Sequence, residues 1–282
     1  MHRLLLTGAA GAMGRALRPR LRPLASILRL SDIDPVAAAG AGEEVMCCDL
    51  ADAEAVRHLV AGCDGIIHLG GISVEDSFER ILAANIIGAR NLYEAARAAG
   101  MPRILFASSN HAIGFYRQDE RVDVDSPLRP DSYYGLSKGF GETLARLFFD
   151  KHGQETAIVR IGSCVEAPLT RRMLSSWLSY DDFVSLAACV FSVPKLGCPV
   201  IFGASANQAG WWSNAAVADL GWQPRDNAEI HRAAVEAMTP VPAPNDPTRL
   251  YQGGAFVPAP LGVRQPPSGG EARPGQPEER QR

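Results

Sequence analysis

Short apolar runs alternate with stretches of helical periodicity from the first residues of the chain. The runs "RLLLTG" (3–8), "ILRLSD" (27–32), "VMCCDL" (45–50), "GIIHLGG" (65–71), "RILFASS" (103–109) and "TAIVRIGS" (156–163) read as strands. The stretches 12–22, 52–61, 76–99 and 133–151 between them read as helices. Nearly continuous apolar strands, each followed by a helix, predict an α/β fold: a doubly wound parallel sheet covered on both faces. Past residue 163 the pattern loosens into a helix at 181–191, a strand at 198–203 and a helix at 227–238. The expected organisation is a core over 1–163, a small substrate-binding part over 164–257 with some elements packing back on the core, and a disordered tail over 258–282. Between Arg264 and Arg282 the only hydrophobic residue is Ala272, too little apolar surface to order a segment.

Composition narrows the function classes. The 282 residues are 46% hydrophobic and 21% charged, with a net charge of −3. That is chain enough for a substantial core, without the basic excess of a nucleic-acid surface. No apolar run reaches membrane-spanning length. The six cysteines, Cys47, Cys48, Cys63, Cys164, Cys189 and Cys198, show no metal-ligand spacing and fit small buried hydrophobes in a reducing compartment; no metal is expected. No acid precedes Asp32, whereas six arginines do, as in a transit peptide. The same segment carries a glycine motif that removal would destroy, so the expected location is the cytoplasm.

That motif is "TGAAGAMG", where Gly8, Gly11 and Gly14 follow the first strand and open the first helix. Glycines at this spacing make a tight turn, admit a pyrophosphate to the backbone and let helix and strand pack closely. Ala12 and Met13 lie in the same turn. Asp32 ends the second strand, where a carboxylate accepts both ribose hydroxyls of NAD and repels a 2′-phosphate; Ile33 follows, not a base. The sheet is therefore expected to be a Rossmann fold that takes NAD. Asp49 ends the third run, where it could reach the adenine or cap the helix near Asp52. Gly70 and Gly71 in "HLGG" let backbone pass close to the cofactor, while His68 inside the strand reads as a core histidine.

The chemistry centres on "DSYYGLSK" (131–138), a helix start with Asp131 or Ser132 as cap. Tyr134 and Lys138 are four apart and share a helix face, whereas Tyr133 is turned away. A nearby ammonium and the positive end of a helix dipole both favour phenolate. Ser109 ends the fifth strand, where its hydroxyl can bind a reacting oxygen, with Ser108 as rival. Asn85 lies on the helix after the fourth strand.

Glycine loop, strand-end acid, serine and Tyr-x-x-x-Lys in this order resemble the short-chain dehydrogenase/reductase family, in its extended branch, over about residues 2 to 257. The resemblance implies Tyr134 as general base, Lys138 lowering its pKa and binding ribose, and Ser109 polarising the substrate. It adds Leu50, Leu69, Asn85 and Cys164 to the cofactor contacts. A narrower resemblance, to the uronate dehydrogenases, rests on "HLGGISVE", "FASSNHAIG", "RIGSC", "RRMLSSWLSYDDF", "GASANQAGWW" and "YQGGAFV"; "VEAPLT" and the tail depart from it. It implies oxidation of galacturonate or glucuronate at C1, Arg172 rather than Arg171 on the carboxylate, and Ser73, Ser109, Asn110, His111, Ser163 and Phe256 around the sugar. Family members often pair through the helices at 76–99 and 133–151, so a homo-oligomer is expected. The alternatives are a nucleotide-sugar epimerase or dehydratase on the same fold and a non-catalytic NAD-sensing regulator.

Overall fold

The computed structural model describes residues 1–265; the rest of the expected tail, 266–282, lies outside the described residues. Seven parallel strands form the central sheet. They are β1 (Arg3–Thr7), β2 (Ile27–Asp32), β3 (Glu43–Cys47), β4 (Gly65–His68), β5 (Arg103–Ser109), β6 (Thr156–Ile161) and, after a two-stranded outlier of β7 (Ser163–Cys164) and β8 (Trp177–Leu178), β9 (Val200–Gly203). Their order is β3-β2-β1-β4-β5-β6-β9. The chain reverses direction across the sheet between β1 and β4, which opens a crevice at the carboxyl ends of the strands. Register pairs Thr7 with Ser31 on one side and His68 on the other, so the loops after β1, β2 and β4 emerge together.

Alternating side chains divide the core. Leu4 and Leu6 pack with Leu28, Leu30 and Val159 under α1 (Ala12–Leu21) and, from beyond residue 163, Phe183, Leu186 and Val190. Leu5 turns the other way, to Ile66, Ile104 and Phe106 beneath α2 (Ala53–Val60) and the helices that follow β4 and precede β6. Two-sided burial explains why these strands read as apolar runs.

Three expectations shift. The third strand starts at Glu43 and ends at Cys47 rather than spanning 45–50. It is an edge strand whose first acids bond Arg18, Arg3 and Arg29, so its polar start conceals it. The helix expected over 76–99 comprises α3 (Phe78–Ile81), a π-helical stretch Leu82–Ile87, and α4 (Gly88–Ala98). The strand expected at 198–203, β9, pairs parallel with β6 in the core sheet, in keeping with the expectation that some elements beyond residue 163 pack back on the core. Finally, the tail expected from 258 does not begin there: Gly262 N and Gln265 N donate to the side chain and carbonyl of Glu75. The remaining helices are α5 (Tyr133–His152), α6 (Met173–Ser176), α7 (Tyr180–Ser192), α8 (Arg232–Met238) and α9 (Pro247–Leu250). Among the described residues no helix is long and apolar enough to cross a membrane.

Candidate active site

The glycine loop is built around backbone. Gly8 has φ +74°, and a Cβ there would lie 2.8 Å from the Leu69 carbonyl carbon. A Cβ on Gly14 would lie 2.2 Å from Gly8 O, so α1 and the turn share space only glycine leaves. Gly11 is the α1 N-cap and no side chain caps it, which leaves the first N–H groups, at Ala12 and Met13, facing the crevice for a pyrophosphate. Asp32 is tied to this loop: its Oδ2 accepts from Ala10 N (2.9 Å) and its Oδ1 from Asp34 N (3.1 Å). Ile33 beside it is exposed. These residues fit NAD, with room for phosphates at the glycines and a carboxylate at the ribose position.

The neighbouring contacts sort the remaining cofactor candidates. Asp52 caps α2, accepting from Glu54 N and Ala55 N, so the cap is not Asp49; Asp49 turns its Oδ1 to Ala51 N (2.9 Å) and stays exposed. Gly70 N donates to Thr7 Oγ1, which contacts His68 Nδ1 at 2.8 Å. Burial pulls His68 down to about 3, a neutral core histidine. A Cβ on Gly70 would meet Leu50 Cδ1 at 2.8 Å. Leu69 and Cys164 pack at the edge of the core with Met13, and burial raises the Cys164 thiol pKa. Asn85 departs from expectation: its Oδ1 accepts from Ile72 N, and its Nδ2 donates to Ile72 O and Ser137 Oγ. It clamps the loop after β4 to α5, with both amide hydrogens engaged inside the protein. Gly71, at φ +126°, is cut to fit this amide.

The serine and tyrosine alternatives resolve cleanly. Ser132 caps α5 through Gly135 N (2.9 Å). Ser109 and Tyr134, both buried, share a hydrogen bond, whereas Ser108 donates to Glu142 Oε1 (2.5 Å), itself paired with Arg160. Tyr133 lies edge-on to Phe78 at 5.3 Å, away from the lysine. Lys138 Nζ donates to Ala107 O (2.8 Å) and sits 5.6 Å from the Tyr134 ring centre. Burial pulls the ammonium down to about 8. It also pushes the Tyr134 phenol up to about 12, against the hydrogen bond from Ser109. Desolvation outweighs the Ser109 hydrogen bond and the Asp131 charge adds to the rise, while the Lys138 ammonium donates to the Ala107 carbonyl.

Beyond Tyr134 lies a cluster of polar side chains around Arg172. Arg172 Nε donates to Gln252 O (2.6 Å), Nη1 to Ser163 Oγ (3.5 Å) and Nη2 to the Asn110 amide oxygen (2.6 Å). One N–H on each terminal nitrogen remains, since guanidinium carries five. Burial lowers Arg172 to about 10. Arg171 instead bonds Thr239 O and pairs with Glu236. The His111 ring stacks on Phe256 at 3.8 Å and meets Tyr134 edge-on at 5.7 Å. Ser73 is exposed between Ile72 and Val74, which pack on Tyr134 and Phe256.

Known proteins match this architecture along most of the chain. Residues 4–178 match the NAD dependent epimerase/dehydratase family. Uronate dehydrogenase of Agrobacterium fabrum is 62% identical over 93% of this chain and 98% of its own. The chain belongs to the NAD dependent epimerase/dehydratase family. Uronate dehydrogenase of Pseudomonas putida is 56% identical over 91% of this chain and 96% of its own. The uronate dehydrogenase of Agrobacterium tumefaciens, solved as a tyrosine-to-alanine variant complexed with NAD, superposes at a TM-score of 0.92 with 61% identity, covering 94% of this chain and all (100%) of that one.

Three residues of this family member escape a reading of motifs. Glu75 is 1% exposed; Oε2 accepts from Tyr134 N (3.0 Å) and Oε1 from Gly262 N (2.8 Å). Gln252, fully buried, bonds Arg117 O, Glu120 O and Trp212 Nε1 and so fixes the carbonyl that holds Arg172. Asp131, read as a possible cap, instead contacts His111 Nδ1 at 2.8 Å. Each acts on a segment remote in sequence, and no local spacing announces that. A buried carboxylate that accepts from one buried and one half-buried N–H gains about 1.5–3 kcal/mol per bond. Glu75→Ala and removal of 258–282 should therefore each lower Tm and kcat. Combined, they should cost well short of the sum, because both break the same contact. Thermal melts and kinetics of the double-variant cycle check this; strict additivity would separate Glu75 from the segment.

Proposed function

We propose that the protein is an NAD-dependent uronate dehydrogenase, oxidising a hexuronic acid (galacturonate or glucuronate) at C1 to the aldarolactone. The observation that carries this reading is Arg172, a guanidinium pre-set by Gln252, Ser163 and Asn110 in the pocket that adjoins Ser109 and Tyr134. A planar fork with an N–H free on each arm suits a carboxylate. Its burial is costly without an anion, and a uronate brings one.

With the carboxylate on Arg172, the other end of a pyranose reaches toward Ser109 and Tyr134. Tyr134 takes the C1 hydroxyl proton, and Ser109 donates to the oxygen as it becomes a carbonyl. NAD, when bound, supplies the hydride acceptor. The cradle for it comprises Gly8, Gly11, Ala12, Met13 and Gly14, with Asp32 and Ile33 at the adenosine end and Asp49, Leu50, Leu69, Gly70, Gly71 and Cys164 lining the rest. Asn85 shapes the wall through Gly71. Lys138 binds ribose when the cofactor is present. The pocket side comprises Ser73, Asn110, His111, Ser163 and Phe256. The small part after residue 163 suits a free sugar acid better than a nucleotide sugar.

Six free cysteines fit a reducing, cytoplasmic setting. Leu136, Phe140 and Leu147 leave an apolar stripe on α5, exposed by 46%, 38% and 48%. That stripe supports a homo-oligomer paired through this helix.

Galacturonate or glucuronate with NAD should generate NADH absorbance at 340 nm, while galactose and glucose should not. Silence with both acids would refute the substrate. Tyr134→Phe should cut kcat by roughly 10²–10⁴-fold with NAD still bound, the range for loss of a general base; an unimpaired variant would move the base elsewhere. Arg172→Lys should raise the KM for uronate roughly 10- to 100-fold, as a point charge replaces the fork. An unchanged KM would take the carboxylate off Arg172.

A further inference from the structure

Asp131 is 4% exposed, yet three glycines are cut to fit it. A Cβ on Gly114 would lie 1.8 Å from Asp131 Oδ2, one on Gly253 would lie 2.0 Å from it, and one on Gly135 would lie 3.2 Å from Oδ1. Gly114 follows β5, Gly253 comes from the C-terminal segment and Gly135 from the first turn of α5. A helix cap needs no such enclosure, and Ser132 already performs the capping. The carboxylate has other partners: Oδ1 accepts from Ser132 Oγ (2.8 Å) and Oδ2 lies 2.8 Å from His111 Nδ1. Its charge also reaches Arg172 and Tyr134.

A carboxylate only accepts, so the proton between Oδ2 and His111 belongs to Nδ1. In a neutral ring Nε2 is then a bare acceptor. It makes no hydrogen bond among the described residues, though the ring is pinned by Phe256 on its face and by its own backbone N–H on Ser109 Oγ (3.2 Å). The ring edge lies against Tyr134. A fixed acceptor beside the base, in a pocket for a polyhydroxy acid, fits a hydroxyl donor.

We propose that Asp131 is a positioning residue that holds His111 in the Nδ1–H tautomer, so that Nε2 accepts a hydrogen bond from one ring hydroxyl of the substrate and selects for it. This rests on the uronate reading above. A site built to bond a hydroxyl rejects the analogue lacking it, because its own polar atom is left unpaired.

Two measurements decide it. In protein labelled with ¹⁵N-histidine, the His111 signals, assigned by their loss in His111→Gln, should show a protonated Nδ1 and a bare Nε2 at about pH 8. A proton on Nε2, or on both nitrogens, overturns the proposal. Kinetics with galacturonate and its 2-, 3- and 4-deoxy analogues form the second. Wild type should lose roughly 10- to 100-fold in kcat/KM on one analogue. Asp131→Asn should bring galacturonate down to that analogue's level by raising KM, with KM for NAD unchanged. A uniform drop on all four compounds would mean that Asp131 only supports the fold, and the proposal fails. If wild type oxidises no uronate, the functional reading falls, and the tautomer measured in the unaltered protein still decides the Asp131–His111 pair.

Discussion

Everything in the pocket depends on how closely α5 lies against β5 and the turn after it. A Cβ on Gly141 would sit 2.1 Å from Phe106 Cζ, and one on Gly135 2.2 Å from His111 O. Any larger residue would lift the helix by about the length of a carbon–carbon contact. At this spacing Tyr134 reaches Ser109 and Lys138 reaches Ala107 O, both on β5. Ser137, on the same helix, reaches Asn85 on the π-helical stretch before α4. The extra residue of a π turn often marks a functional position. Here it sets an amide that grips both backbone groups of Ile72, in the loop after β4.

The resulting centre is electrostatically expensive. Burial drives Lys138 down to about 8 and Tyr134 up to about 12, so it moves ammonium and phenol apart and opposes the charged form of both. Arg172 is depressed by the same cause, with Asp131 as partial compensation. Buried charge of this kind costs several kcal/mol per ion unless partners arrive. The protein supplies some partners as carbonyls, at Ala107 and Gln252. An anionic substrate supplies the rest at Arg172. Binding and the readiness of the base are thus set by one low-dielectric enclosure, and residues that close it matter as much as those that react.

Much of this was legible from local spacing. Gly8, Gly11 and Gly14 declared a strand–turn–helix crossing, because each glycine answers a steric demand within one turn. Helical geometry chose Tyr134 over Tyr133, and the structure turns Tyr133 to Phe78. The pairs Ser108/Ser109 and Arg171/Arg172 were decided by resemblance, not spacing. Adjacent residues point to different surroundings, and only the tertiary fold shows that Ser108 meets Glu142 and Arg171 meets Glu236. Sequence missed what depends on distant pairing. The edge strand β3 hides its start behind Glu43 and Glu44, whose charges are matched by arginines far along the chain. Asn85 read as a cofactor contact because its clamp partners, Ile72 and Ser137, come from two other segments.

The C-terminal segment carries this lesson furthest. The expected tail starts at 258, ahead of the stretch from Arg264 that composition marks as unable to order itself; between them the hydrophobic residues are Ala259, Leu261 and Val263. Glu75 changes that balance by offering two acceptor sites within the segment, its carboxylate to Gly262 and its carbonyl to Gln265. Backbone N–H groups need no particular side chain, so the sequence 258–265 bears no mark of the contact. The same carboxylate holds Tyr134 N. Phe256, a few residues upstream, stacks on His111, and Gln252 fixes Arg172. One stretch from 252 to 265 therefore touches the arginine, the histidine and the helix of the base in turn. The part from 258 on, expected as tail, reaches the helix of the base through main-chain N–H groups on Glu75. The residues just upstream hold the arginine by the Gln252 carbonyl and the histidine by the Phe256 ring.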